Sequence, residues 1–431
     1  MSRAGLALLV ALELLVVLPL PVTLPLFAGA EAAESWPVLW LLAGGFLAVC
    51  WLVGTRSVPL ALLLGWAGAR TLAAGLPLRS TLLLAEVVAV LTAYLVAAAL
   101  PAGADRWLLV GLALAALLTA WVGLEQVLGV GWTLDGLTAA TGAVLAPRGW
   151  SARPQDTPLA GEHGVQQRSG LLVRGTVVGQ PQAFLGHPNH FGVFLALALP
   201  AVLWVVAGRA MGVTPSSPVP VSATGNEWTW RSWLGWAVGG GLLVMVVLSR
   251  SRTAVIALGL LAGLWIWPRI GLWVRLAFVP VGAGLATGIV EAVASGEANL
   301  GFRLRAWRLG WATALRAPWA GWGLGTWRFW ALDPRGPIAA YIGARDAGWW
   351  REAFNEPLQL FFELGGVGLA LGLVCLGQLA LDAGRGWRAG GAGRPWAGTA
   401  TVGLVALWTT AVFHYPPLML PVLVAAARLR R

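Results

Sequence analysis

The chemistry available to this chain rests on arginine. Arg250 and Arg252 interrupt apolar sequence in Leu248-Ser249-Arg250-Ser251-Arg252-Thr253, and Arg303, Arg305, Arg308 and Arg316 follow in the stretch from Gly301 to Pro318. Planar guanidinium groups bind phosphate oxygens in pairs, so two such clusters meeting in one cavity would clamp a diphosphate. The plainer reading stands beside it: arginine stems snorkel from helix ends, and a basic helix flank anchors to anionic head groups.

Proton transfer has fewer candidates. Glu352, Glu356 and Glu363 lie together, although a carboxylate near a helix start also serves as a cap or dipole partner. Of four histidines, His163, His187, His190 and His414, only His187 and His190 are close in sequence, and two ligands without a third make no metal site. Trp319-Ala320-Gly321-Trp322-Gly323-Leu324-Gly325 alternates glycines, which let backbone N–H groups approach a ligand or form an anion nest, or merely shape a turn. No Gly-x-Ser-x-Gly elbow, Walker loop or dinucleotide fingerprint occurs.

The elements that position these residues are set by lipid. Of 431 residues, 58% are hydrophobic and 11% charged, too apolar a balance for a soluble surface. Apolar segments lie near 5–27, 37–54, 58–73, 81–100, 107–129, 187–207, 233–249, 253–267, 272–291, 357–381, 397–413 and 417–427. A span needs roughly 20 apolar residues, so the expected fold is an all-α integral membrane protein of about 12 transmembrane helices, or eleven if a short segment fails to cross. Residues 1–431 form one polytopic domain. Cys50 and Cys375 sit inside apolar runs as buried thiols. The first segment ends in Ala28-Gly29-Ala30, like a signal peptide, but it is long for one and contains Glu13; a retained helix is expected.

Orientation follows from charge. The net charge of +11 comes from arginine alone, and the short connections on one side carry Arg56, Arg106, Arg209, Arg231, Arg269, Arg275, Arg385, Arg388 and Arg394, with Arg428, Arg430 and Arg431 in the tail. This places both termini in the cytoplasm, with Arg70 and Arg79 as exceptions. Basic residues scattered between spans do not make a nucleic-acid surface. Two long polar segments, 130–186 and 292–356, then face outward. Within the second, a helix from about Arg303 to Pro318 aligns Leu304, Trp307, Trp311 and Leu315 in an apolar stripe, with Arg305, Arg308 and Arg316 beside it, as an interfacial helix would. Most of the 27 tryptophans fit interfacial belts, a few in the second loop sugar-stacking platforms.

Four stretches in order resemble the O-antigen ligase/polymerase superfamily: Phe184 to Gly192 running on to Pro200; Ser249 to Ala254; Arg303-x-x-x-Trp307 followed by Pro318, Gly321, Gly323 and Gly325; and Asn355-Glu356-Pro357-Leu358-Gln359 continuing through Glu363-Leu364-Gly365 to Gly368. The resemblance implies a membrane glycosyltransferase that moves a glycan from an undecaprenyl-diphosphate carrier to a hydroxyl of lipid A-core, another glycan or a protein, at the outer face of the bacterial cytoplasmic membrane. It implies no metal and no cofactor, with arginines holding the diphosphate, here Arg250, Arg252, Arg303 and Arg305. The chain departs from the family at one point. Phe354 stands where the family usually has a histidine before the Asn355 position, and phenylalanine accepts no proton, which leaves Glu352, Glu356, Glu363, His187 or His414 as substitutes.

Two other functions compete. A non-catalytic relative that binds lipid-linked glycan in an assembly complex would explain Phe354. A transporter would need ionisable residues along a midplane path, and Glu13, Glu86 and Glu363 form no evident relay.

Overall fold

A computed structural model describes residues 58–73, 94, 97–128, 188–207, 230–266, 298–327, 330, 353–410, 412 and 415–430. The regular elements among them are helical: α1 (Val58–Ala73), a short 3-10 turn (Ala102–Ala104), α2 (Asp105–Val127), α3 (Pro188–Ala207), α4 (Trp230–Leu248), α5 (Arg252–Ile266), α6 (Ala298–Ala314), α7 (Glu356–Ala389), α8 (Gly393–Ala406) and α9 (Pro416–Leu429). All but α6 coincide with apolar segments expected from the sequence. Segments 5–27, 37–54 and 272–291, the loop 130–186 and most of 81–100 lie outside the described residues, as do Arg328 to Phe329 and 331–352 of the second loop.

Among the described residues, three helices are long and apolar enough to cross a membrane, within Asp105–Glu125, Asn189–Val206 and Glu356–Ala389. Shorter apolar helices, Gly235–Leu248, Arg252–Trp265 and Pro417–Leu429, pack around them. The middle of α3 explains the arrangement. Val193 to Ala198 are fully buried, which makes α3 the central helix among those described. Its neighbours are α2, α4, α5, α8 and α9. Pro200 inside α3 lacks an N–H, and beside the carbonyl it cannot serve, Thr399 of α8 donates its Oγ1 to Leu197 O at 2.9 Å.

Helix α7 departs from a simple span. Its 34 residues would extend for about 50 Å at 1.5 Å per residue, well beyond a hydrocarbon core of roughly 30 Å. A break at Gly365 (φ 69°, ψ −169°) divides it. The carbonyls this break frees are taken by other elements: Phe362 O by Trp322 N–H (3.0 Å), Glu363 O by Gly323 N–H (2.8 Å) and Leu364 O by the Trp66 indole of α1 (2.8 Å). Only glycine allows the approach, since a β-carbon on Gly365 would enter the Trp319 backbone and one on Gly321 would enter that of Glu363.

One end of the bundle is closed by ion pairs. Arg428, buried at the end of α9, binds Asp105 at 2.6 Å and donates to Ala97 O and Leu100 O at 3.0 and 2.9 Å, and Trp396 also donates to Asp105 (2.9 Å). Arg430 and Arg385 both meet Asp382, at 3.2 and 2.8 Å. Arg428, Arg430 and Arg385 thus gather at the end of the bundle opposite Asn355. Arg70, an exception to the charge rule, donates to Gly321 O at 2.9 Å near the other end, so it is held there by the glycine turn.

Candidate functional site

At the end opposite the ion pairs, α3, α5 and α7 all begin. Helix α3 starts at Pro188, suited to the first helical position because proline has no N–H and a donor there would have no helical partner. Ser251 precedes α5 and caps it, accepting from Ala254 N–H (3.3 Å), while Ser249 Oγ donates to Val246 O at the close of α4 (2.6 Å). Arg250 between them takes a left-handed backbone, φ 53°, and its side chain is exposed. Asn355 caps α7, accepting from Leu358 N–H at 2.9 Å.

A polar network joins these starts through the turn after α8. Ser251 Oγ donates to Asn189 Oδ1 (2.6 Å), Asn189 Nδ2 to Thr410 Oγ1 (2.9 Å), and the Thr253 and Thr409 hydroxyls lie 2.8 Å apart. A side chain at Gly192 would strike Ser249 and Ser251, so the close crossing depends on glycine. The carbonyls ending α8 lack helical partners and take donors from elsewhere: Leu407 O from Glu356 N–H (2.9 Å), Trp408 O from Asn355 Nδ2 (3.4 Å) and Thr409 O from Arg303 Nη1 (3.0 Å). Sequence reasoning missed Thr253, Thr409 and Thr410. Their signal was faint, a Thr-Thr pair breaking the apolar run 397–413.

Helix α6 delivers Arg303 and Trp307 from one face, as four-residue spacing requires. The Trp307 indole donates to Ala353 O at 2.6 Å, and the Arg303 guanidinium lies over the Phe354 ring, 5.0 Å from its centroid. The helix buries small residues, Ala306, Gly310, Thr313 and Ala314, against Trp327 and the start of α7. Of the expected apolar stripe, Leu304, Trp311 and Leu315 are exposed with Arg305, Arg308 and Arg316, which suits contact with an interface rather than with the core. The helix ends at Ala314, a turn before Pro318.

Arg303 bonds Thr409, whose hydroxyl meets that of Thr253 next to the exposed Arg252, so the two arginines lie on adjoining segments, and Arg305 lies on another face of α6. Burial first, then the charge of Arg252, push the Arg303 guanidinium below its usual pKa. An arginine keeps its proton even so. The starts of α3, α5 and α7 and the two guanidinium groups favour an anion here, with Glu356 the acidic side chain at the first turn of α7.

The glycine turn is not an open nest. The anion it binds is within the chain: Gly325 N–H donates to Glu363 Oε2 (2.8 Å), Gln359 Nε2 to Glu363 Oε1 (3.0 Å), and Gln359 Oε1 accepts from Ala353 N–H (2.8 Å). Gly366 N–H donates to Pro318 O at 2.6 Å. Among the proposed proton acceptors, Glu363 is thus buried in a clasp and Glu356 is buried at the first turn of α7. Glu352, His187 and His414 lie outside the described residues. Among the described residues, no three His, Cys, Asp or Glu side chains group as metal ligands.

Residues 237–373 match the family model described as O-antigen ligase. The matched interval runs from within α4 into α7 and holds Arg250, Arg252, Arg303, the glycine turn and the start of α7; Asn189 lies outside it. No curated protein matches the chain.

Proposed function

We propose that this chain, whose residues 237–373 match the O-antigen ligase family model, is a member of the O-antigen ligase/polymerase superfamily and transfers a glycan from an undecaprenyl-diphosphate carrier to an acceptor hydroxyl of lipid A-core, a glycan or a protein. The observation that carries this reading is that Arg303 bonds Thr409, whose hydroxyl meets Thr253 beside Arg252, at the starts of α3, α5 and α7. The acceptor oxygen bonds to the anomeric carbon while the bond to the diphosphate breaks. The electron pair leaves with the diphosphate and the hydroxyl proton passes to a base. Negative charge grows on the leaving group, so fixed cations and helix N-termini bind the transition state more tightly than the ground state. Glu356, Glu352, His187 and His414 are the groups for the proton. The reaction draws on no metal or cofactor in this reading.

The membrane is the cytoplasmic one, with about twelve spans, both termini inside and the segment around α6 outside, where such a carrier presents its glycan. Modification of Trp319→Cys by a membrane-impermeant maleimide, in a chain with Cys50 and Cys375 changed to serine, tests that placement. Labelling only after permeabilisation would reverse it.

Transfer is tested in proteoliposomes with a lipid-diphosphate glycan and an acceptor. Arg303→Lys and Arg252→Lys should insert normally and lose transfer, because lysine cannot reproduce paired guanidinium contacts. Unchanged donor affinity in both variants would end the clamp reading. A second reading, a non-catalytic glycan-binding relative, is favoured by Phe354; it predicts donor binding without transfer in the unsubstituted chain.

A further inference from the structure

We propose that Phe354 is a positioning residue whose ring holds the Arg303 guanidinium in the anion site; the inference rests on the reading of Arg252 and Arg303 as a diphosphate site. Two independent features of the chain point to it. Phe354 occupies the left-handed region at φ 52°, a conformation disfavoured for a residue with a β-carbon. Its neighbours impose that conformation. Ala353 is fixed through its carbonyl by Trp307 and through its N–H by Gln359, and Asn355 is fixed as the cap of α7. The second feature is where the ring lies, with the Arg303 guanidinium 5.0 Å from its centroid.

The ring does what a polar partner would not. A carboxylate there would neutralise the charge, and a carbonyl would occupy an N–H. An aromatic face attracts the cation through its quadrupole and takes no hydrogen bond. Among the described residues Arg303 donates one hydrogen bond, from Nη1 to Thr409 O, which leaves its other N–H groups for a ligand. The attraction also opposes Arg252, whose like charge acts on Arg303. Phe354 thereby keeps two cations within reach of one diphosphate before the diphosphate arrives.

The test is binding of inorganic diphosphate and of undecaprenyl diphosphate to the full chain in detergent, by calorimetry. Phe354→Met keeps apolar bulk without a quadrupole and should weaken binding on the order of 3- to 30-fold, whereas Phe354→Tyr should recover most of the affinity. Phe354→trifluorophenylalanine keeps the ring's shape while draining its face of charge, so it should weaken binding even where a packing role would be untouched. In an Arg303→Met background, Phe354→Met should add nothing. Wild-type affinity in the fluorinated variant, or an undiminished effect of Phe354→Met without Arg303, overturns the proposal. Failure of the unsubstituted chain to bind either diphosphate overturns the anion site itself, and this inference with it.

Discussion

Replacing Glu363 by glutamine separates a structural clasp from a catalytic base. The carboxylate is 1% exposed and accepts from Gln359 Nε2 and Gly325 N–H at 3.0 and 2.8 Å. Glutamine presents one acceptor oxygen, so its amide must face one of those donors. A hydrogen bond to a charged group contributes about 1.5–3 kcal/mol, and one is lost. That loss corresponds to a roughly 10- to 100-fold rise in the population with the glycine turn opened. Hydrogen–deuterium exchange of a peptide covering 319–327 reads it directly. Glu363→Gln should speed exchange there by that factor, leave the Arg428 end of the bundle protected, and reduce transfer only as far as the turn is loosened. Unchanged exchange with abolished transfer would refute the clasp and give Glu363 to the chemistry.

Three further outcomes follow from the packing. Gly365→Ala forces a β-carbon into the Trp319 backbone at φ 69° and should lower stability by more than about 2 kcal/mol, while Gly377→Ala, in open space on the same helix, should be neutral or stabilising; thermal unfolding in detergent compares them. Arg428→Met removes the buried partner of Asp105 and should cost about 3 kcal/mol, with Arg430→Met costing less because Arg430 is more exposed; equal unfolding temperatures would contradict this. Phe354→His introduces a proton acceptor, and a histidine tolerates left-handed backbone better, so kcat should rise by up to about 10²–10⁴-fold where the acceptor's proton limits transfer, with weaker donor binding. A flat or falling kcat would show that a base already acts elsewhere.

Much of the site was legible because spacing carries direction. Arg303 and Trp307, four apart on a helix, had to share a face, and both reach the start of α7. The same rule sets Arg305 about 200° around that helix, which grouping by proximity in sequence overlooked. The glycine turn was legible as a close approach but not as to what approaches. Gly365 and Gly366 sit within an apolar run that reads as one continuous helix, and nothing local announces that the run breaks there and that Glu363 fills the nest from inside the chain. Thr409 and Thr410 were hidden for a similar reason: hydropathy averages them into a span, whereas α8 ends at Ala406 and exposes carbonyls to Arg303 and Asn355. Arg70 violated the charge rule because that rule knows nothing of a carbonyl waiting at Gly321.

On the proposed function, the arginine pair serves transfer of a glycan from a lipid diphosphate. Reconstituted into liposomes with a lipid-diphosphate glycan purified from the cell envelope and an acceptor from the same source, the unsubstituted chain should release carrier diphosphate and add glycan to acceptor in equal amounts, and Arg303→Lys should abolish both together. Carrier that keeps its glycan in the presence of the unsubstituted chain, or glycan transfer that proceeds unchanged in Arg303→Lys, would overturn the proposed role of the arginine pair.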